Sequence, residues 1–157
     1  MPARLLCLLG FLLLGNALGA AENAPLLARQ PTLSQSTIVF SYGGYLWSVP
    51  REGGEARQIT TGGHEGFPVF SPDGKWIAFT AQFRDFAICV VPAGGGKAEV
   101  LTPGEDPSWS PNSRTLVFAR RHGGQYTLSL LDVFTKQVKD VSRISGSSSQ
   151  SQPSWAR

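Results

Sequence analysis

Short apolar runs recur along the chain, separated by turns of Gly, Pro, Asp and Ser. TIVF (37–40), WIAF (76–79) and TLVF (115–118) superpose, and Phe40, Phe79 and Phe118 stand 39 residues apart each time, which predicts equivalent buried positions for the three. Upstream of each run lies a Pro-x-x-Ser element: PTLS at 31, PVFS at 68 and PSWS at 107. Downstream comes a second apolar run, YLWSVP, AICVVP or TLSLLD, then a hydrophilic turn and a closing QIT (58–60), VLT (100–102) or DVS (140–142). The opening element returns at 153 as PSWAR. Each unit thus predicts four short strands; in the second they fall near 68–71, 76–81, 86–91 and 97–102. Ser-Pro-Asp-Gly and Gly-Gly signals between them mark hairpins. Four antiparallel strands in about 40 residues match a β-propeller blade. The second strand of the unit is apolar at consecutive positions (Ile77, Ala78, Phe79), as expected where both faces of a sheet are covered. The expected fold is all-β: three four-stranded antiparallel blades and the start of a fourth, in an open or incomplete propeller.

The N-terminus follows other rules. MPARLLCLLGFLLLGNALGAAENAP carries one positive charge (Arg4), an apolar run from Leu5 to Leu14 and small residues around Ala17–Ala21. This is the layout of a cleavable secretory signal, with an apolar run too short to span a bilayer. The expected organisation is a signal peptide over 1–20, a linker over 21–30 and a partial propeller over 31–157. Its blades cover about 31–60, 68–102 and 107–142, followed by a Ser-rich link and the next blade's start over 143–157. Removal of the leader takes away Arg4 and Cys7, leaving 13 basic and 11 acidic residues, a net charge of +2. So small a charge gives no case for nucleic acid. The remaining Cys89 has no partner for an internal disulfide and, within AICVV, reads as a small buried hydrophobe.

The stretch PVFSPDGKWIAFTAQFRDFAICVVPAGGGKAEVLT resembles the WD-like repeat of the TolB family and of the propellers in tricorn-type proteases and prolyl-oligopeptidase relatives. GEDPSWSPNSRTLVFARR is closer to TolB, and YGGYLWSVPREGGEARQIT equally close to the tricorn-type propellers. Resemblance to TolB implies a non-catalytic, periplasmic or secreted binding module of the Tol-Pal envelope system. Its partner would be an envelope protein or peptide, such as a Pal-like lipoprotein. The tricorn-type resemblance implies instead a propeller from a secreted hydrolase, gating substrate access.

The residues themselves offer little catalytic chemistry. Gly-x-Ser-x-Gly is absent, GGGK (94–97) lacks Walker spacing, and His64 and His122 have no ligand pattern around them. No catalytic, cofactor or metal site is expected. Candidate binding residues come from geometry. In an up-and-down blade the second-to-third loops and the blade-to-blade links share one end. That end collects Arg84, Asp85, Arg120, Arg121, His122, Gln125, Glu65 and Asp106 as candidate partner-binding residues, with His64 and Glu105 nearby. Three blades fall short of the roughly four to eight that close a ring, so self-association to complete the propeller is also expected.

Overall fold

The computed structural model describes residues 27–122, 124–141 and 153–155. The predicted leader and most of the Ser-rich link lie outside the described residues. Twelve strands form three antiparallel meanders. The first blade holds β1 (Arg29–Leu33), β2 (Thr37–Tyr42), β3 (Tyr45–Pro50) and β4 (Arg57–Gln58). The second holds β5 (Glu65–Phe70), β6 (Trp76–Gln82), β7 (Phe86–Pro92) and β8 (Glu99–Pro103). The third holds β9 (Glu105–Trp109), β10 (Thr115–His122), β11 (Gln125–Asp132) and β12 (Val138–Asp140). No helix occurs among the described residues. The fold is therefore the expected all-β array of open sheets, an incomplete β-propeller.

The Ser-Pro-Asp-Gly turn explains its own recurrence. Ser71 N–H donates to the Trp76 carbonyl, Trp76 N–H donates back to Ser71 Oγ (3.0 Å), and Ser71 Oγ donates to Asp73 Oδ1 (2.6 Å). The third blade repeats this network with Ser110, Thr115 and Asn112, so Asn replaces Asp without loss of a bond. Gly74 takes a positive φ of 69° there, and Ser113 takes 57° at the matching position. Ser113 bears that strain beside a contact between blades, its Oγ accepting from Asp73 N–H at 3.0 Å.

Blade stacking supplies the core. Ile77, Phe79, Ala81, Ala87, Cys89 and Val91 of the second blade pack on Val39, Leu46 and Ile59 of the first. Ala78, Ile88 and Val90, at the intervening positions, pack on Trp109, Leu116, Phe118 and Leu131 of the third. Successive side chains of a strand point to opposite faces, so consecutive apolar residues are what a blade with two neighbours requires. Cys89 is buried in this core, and desolvation, with the Glu65 charge second, pushes its thiol pKa up to about 12.

Two expectations need correction. Phe40, Phe79 and Phe118 occupy matching positions on β2, β6 and β10, but only Phe79 and Phe118 are fully buried. Phe40 is half-buried, as are Ile38, Trp47 and Val49, because among the described residues the first blade has a neighbour on one side only. Leu128 and Leu130 are half-buried on the third blade in the same way. The blades also begin earlier than expected, at Arg29 (inside the predicted linker), Glu65 and Glu105, not at the prolines. Each inner strand carries an irregularity just before its proline, with positive φ at Gln30 (53°), Phe67 (53°) and Asp106 (55°). The bulge lets pairing resume on the far side of a residue that has no N–H to donate.

Residues 153–155 repeat the pattern. Trp109 Nε1 donates to the Val69 carbonyl of the second blade at 3.1 Å. Trp155, also third in a Pro-Ser-Trp, donates to the Ser108 carbonyl of the third blade at 3.1 Å. The segment stands where the inner strand of a fourth blade starts.

Candidate functional site

Hairpins and links converge at one end of the array, as the meander requires. Glu65 N–H donates to the Gly44 carbonyl, Gln82 N–H to the His64 carbonyl and Gly104 N–H to the Phe86 carbonyl, tying each link to a hairpin. The first blade turns through Gly43 and Gly44, both at positive φ. The second blade's hairpin is longer, reaching from Gln82 to Phe86, and it leaves Phe83 60% and Phe86 40% exposed.

This longer hairpin opens a cleft of about 520 Å³ toward the third blade. Gln82, Arg84, Asp85 and Phe86 come from the second blade, Pro103, Gly104 and Glu105 from the link, and Arg121, Gly124 and Tyr126 from the third. The Glu105 carboxylate beside the Tyr126 hydroxyl raises the tyrosine's pKa, chiefly through hydrogen bonding. Neither Arg84 nor Arg121 has an ion-pair partner among the described residues, whereas Arg114 pairs with Asp132 at 2.7 Å and Arg120 with Asp140 at 3.6 Å.

The cleft thus gathers Arg84, Asp85 and Arg121 from the predicted set; Arg120, Gln125, Glu65 and Asp106 do not line it, and the His122 side chain lies outside what the structure describes. Arg120 is held by Asp140. Gln125 is exposed and pairs in register with His122 at the hairpin end, outside the cleft. Glu65 is only 7% exposed: its carboxylate accepts from the Thr60 hydroxyl and from Gly62 N–H at 3.2 Å, pinning the link between the first two blades. It is a structural residue, not part of the free loop surface. Asp106 lies at the inner strands, where Gln30, Phe67, Asp106 and Pro153 line an axial opening of about 250 Å³. Its N–H donates to Thr80 Oγ1 at 3.1 Å.

Tyr126, Phe86 and Pro103 also line the cleft, outside the set expected from the sequence. Only Phe86 carried a usable signal, an aromatic at the edge of a polar loop. Among the described residues no group of His, Cys, Asp and Glu is arranged to hold a metal ion, and no helix is long and apolar enough to cross a membrane.

Three stacked four-stranded meanders with inner strands around an axial opening define a β-propeller module. The Tricorn protease N-terminal beta propeller domain family matches residues 25–153, and the chain belongs to it. It is 30% identical over 91 residues to the Tol-Pal system protein TolB of Hydrogenovibrio crunogenus, a match covering 56% of this chain and 21% of that protein. The chain therefore spans about a fifth of that relative's length. A putative TolB from Agrobacterium tumefaciens superposes with a TM-score of 0.75 at 19% identity, covering 85% of this chain and 51% of that one. The propeller domain of the Trilobed protease from Pyrococcus furiosus superposes with a TM-score of 0.60 at 17% identity, over 75% and 44% of the two chains. Identities this low bear on the fold alone.

Proposed function

We propose that this chain is a non-catalytic β-propeller binding module of the cell envelope, TolB-like, which docks a protein or peptide partner through the loop end of its blades. The observation that carries this reading is the cleft between the second and third blades. There Arg84 and Arg121, without an ion-pair partner among the described residues, line the same cleft as Phe86 and Tyr126. Arginine and aromatic side chains are the types that dominate binding energy at protein interfaces. The sequence relationship to TolB supports an exported protein and a Pal-like lipoprotein as partner, and the leader pattern over 1–20 supports periplasmic localisation.

Calorimetric titration of the chain with the soluble domain of a Pal-like lipoprotein tests the proposal. Saturable binding, weakened at least tenfold by Arg84→Ala with Arg121→Ala, is the expected result. Binding unaffected by both changes would remove the loop end from the reading, and no binding would remove the partner.

The family match favours a second reading, a tricorn-type propeller that gates substrate access to a hydrolase. Under that reading the axial opening beside Phe67 and Asp106, not the cleft, would admit the substrate. Substitutions at Phe67 would then change peptide passage and leave partner binding intact.

A further inference from the structure

The cleft has a chemistry of its own, set by which of its charges are already satisfied. Arg51 donates to the Ser34 and Gln35 carbonyls, and Arg57 to Ser48 Oγ and the Gly94 carbonyl. Arg114 and Arg120 sit in ion pairs. Arg84 and Arg121 have no such partner among the described residues, yet they line the same cleft, one from each blade. A guanidinium presents a planar fork of donors matched to a carboxylate, and two of them from different elements frame a space for one.

Glu105 lines the same cleft from the link, together with Tyr126. Asp85 is exposed on the β6–β7 hairpin. These two carboxylates leave the cleft mixed in charge, which disfavours polyanions and suits a single acidic group. Phe86 and Pro103 add apolar surface that an inorganic anion would leave uncovered. Among the described residues the corresponding position between the first and second blades offers no such site: the Gly43–Gly44 turn is short, and Glu65 is buried against Thr60.

We infer that this cleft reads one acidic residue of an extended peptide segment, its carboxylate held between Arg84 and Arg121 and its neighbouring apolar side chain laid on Phe86 and Pro103. The inference rests on the loop end being the docking face, and it adds what that face selects.

The test is a titration of the 15N-labelled chain with acetyl-Leu-Asp-Leu-amide, with its Asn counterpart, and with inorganic phosphate, observed by NMR. The expected result is saturable shifts of the Arg84 and Arg121 Nε–H signals and of the Gly104 amide with the Asp peptide. The Asn peptide should bind about tenfold more weakly, the loss expected when a charge-assisted hydrogen bond is replaced by a neutral one. Arg84→Gln with Arg121→Gln should abolish the discrimination while the remaining amide spectrum stays unchanged. Equal response to both peptides, or no saturable response to either, overturns the inference. Phosphate producing the same shifts at the same affinity as the Asp peptide overturns it too, since the cleft would then be a general anion site. Failure here with intact binding of a whole lipoprotein domain would sink the acidic reading and spare the docking face. Failure of that domain to bind would sink the docking face itself.

Discussion

Phe118 and Phe40 offer a direct test of what stacking contributes, because one repeat position is present in two environments. Phe118 is fully buried between the second and third blades, its ring against the Gly104 backbone. Phe40 sits at the matching place on β2 but faces outward from the first blade and is half-buried. Phe118→Ala removes a ring from a closed interface and should cost about 3–5 kcal/mol, transfer and cavity terms together. At Phe40 no closed cavity results and only part of the ring leaves a dry environment. There the cost should be about 1–2 kcal/mol, from an area term of about 1.5–3 kcal/mol for a fully buried large apolar side chain. Typical net stabilities are about 5–15 kcal/mol, so the difference is measurable. Urea unfolding followed by far-UV circular dichroism and by tryptophan fluorescence reads both variants, with unchanged slope as the check that the denatured state is the same. Equal losses at the two sites, in samples that light scattering shows to be monomeric, would refute the reasoning, for the outer face of the first blade would then be covered as fully as the inner ones.

Other outcomes follow from single contacts. A Cβ at Gly104 would lie 2.5 Å from Phe118 Cδ2 and 2.8 Å from the Ala119 carbonyl oxygen, at a φ of +151°; Gly104→Ala should therefore cost about 1–3 kcal/mol, read in the same urea experiment. Asp132 has its pKa lowered to about 2, first by the Thr135 N–H and then by Arg114, and Asp73 is lowered first by the Ser71 hydroxyl. Depressed folded values mean that both contributions are complete above the ordinary value of 3.8 and are lost as pH falls through the folded ones; Asp132→Asn should flatten the acid limb of a stability-versus-pH curve between about 4 and 2. Asp73→Asn should lose only this charge contribution at pH 7 and keep the turn folded in thermal unfolding, since Asn112 accepts the equivalent bonds in the third blade. Assays with generic ester and peptide substrates should give rates equal to a buffer blank, and turnover abolished by one Ser→Ala change would contradict a non-catalytic module.

What the sequence determined is the local grammar. The Pro-x-x-Ser elements, the Asp-Gly turn and the doubly apolar strands gave the number, order and approximate bounds of the strands, because turn chemistry and the two-residue period act over a few neighbours. Burial of Cys89 and the role of Asp73 were legible for the same reason. Tertiary structure decided everything that depends on which blade lies next to which. Equal repeat positions became unequal, with Phe40 half-buried and Phe118 closed in. Glu65, three residues before Pro68, became a buried pin, while Gly104, three before Pro107, left its place to the Phe118 ring. Arg84 and Arg121, 37 residues apart in the chain, came to line one cleft, whereas Arg120, one position away, was taken up by Asp140. A repeat fixes what each residue is in its own unit. Which charge finds a partner depends on twist, hairpin length and the neighbouring blade, and those are properties of the assembled stack.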